Sequence, residues 1–307
     1  MILSAGLTPA WQQILVFRQF RYGEVNRAQE VHWCASGKVF NAGIAVRRLG
    51  APGLTLAPVG GLPRAEIDRE FCEMGIRHRW IVTEAATRVC TTILDQATGT
   101  ITELVENGRC LTPREIEEFR RAYAEQAAAA QVAIIIGSLP AGTPPSFYRD
   151  LVACTPCPAI LDFRGEGLLA VLDLKPYVVK PNREELAQTL RQPIATDDEL
   201  RDAMQTLNRR GAQWVLVTQG KGPVWVTCEQ RAWRFHPPPV ENVVNPIGCG
   251  DAMAAAIAWA TWQRHDLLTA VRLGIAAAQA NLRQIRPGRI DPSGIAEAAE
   301  RIRVEEA

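Results

Sequence analysis

What most limits the fold of this chain is a rhythm of short apolar runs rich in Val and Ile, each closed by a turn signal and followed by polar and apolar residues mixed at helical spacing. The runs Val132–Ile136, Ala159–Asp162, 177–179 and 214–218 carry it most clearly, and 144–154, 184–191 and 197–210 supply the helical patterns between them. Runs that are apolar throughout belong to strands covered on both faces, as in a parallel sheet built from strand–helix units. The middle of the chain is therefore expected to form a doubly wound, three-layer α/β sheet.

The 307 residues suffice for one large α/β unit, spanning 1–307, with a small appended element. A content of 47% hydrophobic and 22% charged residues is that of a globular protein with a sizeable core. With 34 Lys and Arg against 33 Asp and Glu, the net charge is +1, so no basic field exists to hold nucleic acid by counterion release. Residues 1–17 lack a basic leader region and are interrupted by Pro9, Gln12 and Gln13, so they read as a first strand. The longest apolar run, 252–262, is too short to span a bilayer, and the expectation is a cytoplasmic protein without a membrane partner. Its eight cysteines are then expected to stay reduced. Cys154 and Cys157 form a C-x-x-C pair, but Pro156 interrupts it and no second ligand pair follows, which argues against a zinc or redox centre.

Two segments break the rhythm. Within 12–33 and 88–106 the strand-like stretches are not followed by helices, and the turn Asp95, Gln96, Ala97, Thr98, Gly99 is flanked as in a hairpin. A small sheet outside the main one is expected. With one face uncovered by helices, it would shield a ligand as a lid or pair with a second copy as a dimer clasp.

The strongest chemical signal is Asn245-Pro246-Ile247-Gly248-Cys249-Gly250-Asp251, followed at once by the small-residue helix 252–260. Gly248, Cys249 and Gly250 at a helix start would aim free N–H groups and the positive end of the helix dipole at one point, a site suited to phosphate. An aspartate there is placed to take a hydroxyl proton as phosphorus is attacked. By its residues alone the segment reads equally well as a helix start with Asp251 as N-cap.

This segment resembles the G-A-G-D signature of the ribokinase-like (PfkB) carbohydrate kinases, and the likeness runs nearly the whole chain. Ala35-Ser36-Gly37-Lys38-Val39-Phe40-Asn41 is similar to the family's first signature, G-G-K-G-x-N. Gly137-Ser138-Leu139-Pro140 is similar to its S-G-S-L-P, Lys180-Pro181-Asn182-Arg183-Glu184-Glu185 to its K-P-N-x-x-E, and Thr218-Gln219-Gly220-Lys221-Gly222 to its T-x-G-x-x-G. Within the family, residues 23–27, Thr87-Arg88 and Thr102-Glu103-Leu104 resemble the branch containing 1-phosphofructokinase and tagatose-6-phosphate kinase.

The resemblance implies a ribokinase-like fold and an ATP- and Mg²⁺-dependent kinase. Asp251 would be the general base, with Gly248, Cys249 and Gly250 as anion hole. Asn182 and Glu185, three residues apart on one helical face, would hold the water shell of Mg²⁺. Thr218, Gly220 and Gly222 would meet the nucleotide phosphates, and Asn281 falls where the family lines the adenine pocket. Gly37 lies in the acceptor signature. Asn41 would bind sugar hydroxyls, while Lys38, Arg88 and Ser138 would clamp a phosphate already on the sugar.

Three departures bear on the acceptor. Where the branch places an aspartate for sugar hydroxyls, this chain has Trp11, Gln12 and Gln13, so Gln12 offers an amide in place of a carboxylate. Ser36 and Val39 replace glycines, and Val39 is expected to narrow the pocket. Cys249 replaces alanine, with a thiol pKa expected to be lowered by the helix N-terminus. A kinase of a sugar or sugar phosphate is the leading reading, ahead of a sugar- or nucleotide-sensing binding protein of the same fold and of a ribose or nucleoside kinase.

Overall fold

A computed structural model of the chain describes all 307 residues. The first run divides in two. Residues 1–17 were expected to form one strand, but Gly6, Leu7, Thr8 and Pro9 turn the chain, so β1 (Ile2–Ala5) enters the main sheet while β2 (Ala10–Phe17) enters a second one. β3 (Glu30–Ser36) follows, then α1 (Lys38–Arg48), β4 (Gly53–Gly60), α2 (Pro63–Glu73) and β5 (Arg77–Thr83). The hairpin foreseen around residues 95–99 is β6 (Arg88–Asp95) and β7 (Thr100–Val105), antiparallel, with Asp95 opposite Thr100.

Regular alternation resumes with α3 (Pro113–Ala128), β8 (Val132–Ile136), α4 (Ser146–Ala153), β9 (Ala159–Asp162), α5 (Glu166–Leu169) and β10 (Val178–Val179). After these come α6 (Arg183–Leu190), α7 (Asp197–Arg209), β11 (Trp214–Val217), β12 (Val224–Cys228) and β13 (Arg231–His236). The chain closes with α8 (Cys249–Trp262), α9 (Leu267–Leu282), α10 (Ile295–Glu300) and β14 (Arg303–Glu306).

The main sheet has ten strands in the order β14-β13-β12-β11-β10-β9-β8-β1-β4-β5. From β11 to β5 all neighbours are parallel; β12 and β13 extend the edge as antiparallel neighbours, and β14, which follows α10, adds antiparallel to β13. Side chains of β8 alternate between two cores: Ile134 and Ile136 join the layer containing α1, α8 and α9, whereas Ile135 joins the layer containing α3, α4 and α7. This is the doubly wound, three-layer arrangement the apolar runs called for. Because β1 pairs with β4 on one side and β8 on the other, the strand order reverses at β1, and a crevice opens at the strands' carboxyl ends. The second sheet, β3-β2-β6-β7, covers that end.

α8 is buried from Asp251 to Ala258. Its alanines permit close approach by α9, where a Cβ on Gly274 would lie 3.0 Å from both Met253 and Ile257 side-chain atoms. A helix apolar all round is held by packing on every side, which fixes its N-terminus in the crevice. No helix is long and apolar enough to cross a membrane.

Candidate functional site

The crevice forms a cleft of about 390 Å³ between the carboxyl ends of the strands and the small sheet. Asp251 lies at its floor, the third residue of α8 and 5% exposed. The helix cap is Gly248, in a left-handed conformation at φ 83°, so Asp251 is not the N-cap. Cys249 N–H turns back to the Pro246 carbonyl at 3.3 Å, so it is not one of the free amides that the segment suggests. Gly248, Gly250 and Asp251 N–H bond to no backbone carbonyl and are the open donors of this helix start. Asp251 Oδ2 accepts a hydrogen bond from Asn41 Nδ2 at 2.8 Å, and Asn41 Oδ1 accepts from Ser36 Oγ at 3.1 Å. Burial is the main force that pushes the Asp251 carboxyl up to about 6, with Asp162 adding to it and Lys38, the Asn41 bond and Lys180 opposing.

Asp162, fully buried at the end of β9, is flanked by two ammonium groups. Lys38 Nζ donates to Oδ1 at 2.7 Å, and Lys180 Nζ lies 2.7 Å from Oδ2, off the hydrogen-bonding direction. Burial alone would raise the Asp162 carboxyl, but Lys180 and Lys38 outweigh it and hold it below the usual carboxylate range. Burial would likewise lower the Lys38 ammonium, yet Asp162, Glu185 and Asp251 raise it above its ordinary value. Lys180 Nζ also sits beside the helix start, 3.3 Å from where a Cβ on Gly250 would stand. The sequence reading assigned no role to Asp162 or Lys180. The available signal was a carboxylate closing an otherwise apolar strand, which once buried requires a cationic partner.

Asn182 and Glu185 line the cleft as a reciprocal cap, not as neighbours on one helical face. Asn182 Oδ1 accepts from Glu185 N–H at 2.7 Å, and Glu185 Oε2 accepts from Asn182 N–H at 3.0 Å. Glu185 Oε1 stays outside this exchange, 3.7 Å from Lys38 Nζ. A cleft-facing carboxylate oxygen beside an amide oxygen fits the water shell of Mg²⁺. Thr218 lines the same wall.

Other expected residues are placed differently. Gly220 and Gly222 lie away from the cleft lining, in the β11–β12 turn, where Gly220 takes φ 59° and Gly222 N–H closes onto the Gln219 carbonyl at 3.0 Å. Asn281 is fully buried beneath the helix start and does not line the cleft. It donates to the Ile247 carbonyl at 2.7 Å and accepts from Gly288 N–H at 2.8 Å, so its amide fastens the loop before α8. Cys249 Sγ points away to the Ala278 carbonyl at 3.3 Å, and burial raises its thiol to about 12, the opposite of the expected lowering. Val39 is buried in the core against Gly6 and does not narrow the cleft.

The proposed phosphate clamp does not assemble as expected. Lys38 is engaged with Asp162, and Ser138 stays outside the lining with its Oγ 3.3 Å from Thr8 Oγ1. Arg88 does line the cleft, held by bonds to the carbonyls of Thr8 (3.0 Å), Pro9 (3.3 Å) and Glu106 (2.9 Å). These use three of its five N–H groups. Gly37 shapes the entry to α1 at φ 82°, where an added Cβ would meet Ala10 N at 2.9 Å.

The family model for pfkB family carbohydrate kinases matches residues 5–292. Among solved structures, a Thermotoga maritima protein described as a "Possible 1-phosphofructokinase" superposes with a TM-score of 0.91 at 22% identity, covering 100% of this chain and 99% of that one. Escherichia coli phosphofructokinase-2 in complex with fructose-6-phosphate gives 0.84 at 23% identity, covering 98% and 100%. The tetrameric inhibited form of that enzyme gives 0.87 at 23% identity, covering 98% and 99%. Family match and fold together define a carbohydrate kinase, an enzyme that carries a phosphoryl group from ATP to an alcohol. The chain belongs to the PfkB family of these kinases.

Proposed function

We propose that this kinase phosphorylates a hydroxyl of a sugar phosphate, with Asp251 as general base. One observation carries the reading: a buried carboxylate at the floor of the cleft, its pKa raised to about 6, stands beside the open N–H groups of its own helix start. A base with that pKa is largely ionised at neutral pH yet still takes a proton readily. In the forward reaction the acceptor hydroxyl lies against Asp251 Oδ1, because Oδ2 is occupied by Asn41. The hydroxyl proton passes to Asp251 as its oxygen bonds to phosphorus, and the bridging bond to ADP breaks.

Gly250 and Asp251 N–H, with Lys180 beside them, face the charge on the moving phosphoryl group. Mg²⁺ bound with ATP would be held through its waters by Glu185 and Asn182, and would offset the charge of the phosphates. Arg88 supports the choice of a phosphorylated acceptor, since two of its N–H groups remain free at the cleft wall. The outer face of the small sheet presents Val31, Trp33 and Leu104 to solvent, which supports pairing with a second copy.

The test is ADP release from Mg²⁺-ATP with a panel of sugars, sugar phosphates and nucleosides, for the native protein and Asp251→Ala. Turnover confined to sugar phosphates and lost on substitution is the expected outcome. Turnover that survives Asp251→Ala would remove the base assignment, and turnover confined to unphosphorylated acceptors would remove the acceptor class.

A further inference from the structure

The registers of the small sheet decide which of its side chains look into the cleft. Gln12 lies opposite Cys90, which lies opposite Val105; two residues along the same strands, Thr92 lies opposite Glu103. Residues paired across a sheet share a face, and so do residues two apart on one strand. Glu103 is thus on the cleft face with Gln12 and Arg88, and all three line the cleft. It stands at the exposed rim of the wall on β7, a strand whose inner face carries no other charge.

Gln12 is 3% exposed and commits one donor: Nε2 gives a hydrogen bond to Thr92 Oγ1 at 2.7 Å. One N–H and the neutral carbonyl oxygen are left for a ligand, and neither offers a charged acceptor to hydroxyl donors. Asp162 is engaged with two lysines, and Asp251 faces the reacting centre. Glu103 has neither kind of tie. The cleft wall withdraws water from its carboxyl and raises it above its ordinary value, and Arg88 opposes that shift through space, with no hydrogen bond contributing.

We propose that Glu103 is the carboxylate that binds the acceptor's hydroxyl groups, performing from β7 the task that a carboxylate at position 12 on β2 would perform. This rests on the sugar-phosphate reading above. A polyol with a phosphate at one end presents an anion and several hydroxyl donors. Arg88 and Glu103, one cation and one anion on the same wall, match that pair of demands, while Gln12 adds a neutral acceptor between them. The sheet is therefore part of the acceptor site, with Glu103 as a specificity-determining residue.

The experiment is calorimetric titration of the full chain with fructose 6-phosphate and fructose 1-phosphate, needing no turnover, on the native protein, Glu103→Gln, and Glu103→Gln combined with Gln12→Asp. Loss of one charge-assisted hydrogen bond predicts about 10- to 100-fold weaker sugar-phosphate binding for Glu103→Gln. The Michaelis constant for ATP should stay unchanged. The double variant returns a carboxylate to the same wall and should recover most of the affinity, a rescue that a purely structural role would not allow. Unchanged affinity in Glu103→Gln, or a loss that Gln12→Asp fails to recover, overturns the assignment of Glu103 while leaving the kinase reading intact. If the native protein binds neither compound, the sugar-phosphate reading falls, and the inference falls with it.

Discussion

Asn41 and Asp251, 210 positions apart in sequence, meet at 2.8 Å on the floor of the cleft, the amide donating to Oδ2 of the carboxylate. This bond favours the ionised acid and opposes the upward push of burial. Asn41→Leu should therefore move the acid limb of the kcat profile to higher pH and lower kcat about 10-fold at pH 7. Steady-state kinetics between pH 5 and pH 9 would check it. A limb that stays in place would show that the bond does not tune the base.

For the native protein, kcat should fall as pH drops through about 6, because protonation of Asp251 removes the acceptor for the hydroxyl proton. The limb should follow a single proton. A profile flat down to pH 5 would mean that another group, or none, accepts it.

Asp251→Asn should abolish turnover by three orders of magnitude or more and at the same time stabilise the fold. The carboxyl is raised on folding, so ionisation costs stability once pH exceeds the unfolded value near 4, and the cost reaches its full size above about 6. At about 1.4 kcal/mol for each unit, the gain at pH 7.5 is on the order of 2 to 3 kcal/mol, shrinking toward zero at pH 4. Urea unfolding at the two pH values measures the difference.

Lys180→Met should destabilise the protein by roughly 3 kcal/mol or more, since it strips one of two cations from the fully buried Asp162. Adding Asp162→Leu should recover part of that loss, because the fully buried carboxylate is gone and Lys38, which is partly exposed, keeps Glu185 at 3.7 Å. A double variant less stable than the single one would contradict this account.

Trp33→Asp together with Leu104→Asp should leave a monomer. Both side chains are solvent-exposed, Trp33 at 41% and Leu104 at 56%, on the outer face of the small sheet. Light scattering after size exclusion would report it, and a native protein that is already monomeric would remove the clasp.

The main sheet was legible because its strands are apolar throughout, and the hairpin because its turn is explicit. The break between β1 and β2 was only half legible: Gly6, Pro9 and the paired glutamines of β2 mark an interruption, but nothing local says that the chain leaves one sheet for another there. The sequence also pointed to the Asp251 helix start, Asn41 and Arg88. It did not show the ties of Lys38, which lines the cleft, nor those of Ser138 and Asn281, because their partners Asp162, Thr8 and Gly288 are brought to them only by folding. Asp162 and Lys180 were passed over for the same reason: each is a single charged residue whose meaning is the other, 18 positions away.

Because the reactive carboxylate rides on a helix enclosed on every side, the machinery has no adjustable mount. A methyl group added at Gly274 would have to be absorbed by Met253 and Ile257, and Met253 stands two residues along α8 from Asp251. Substitutions remote from any ligand would thus register first as slowed chemistry, and only later as unfolding, so the aliphatic interior of this kinase doubles as its optical bench.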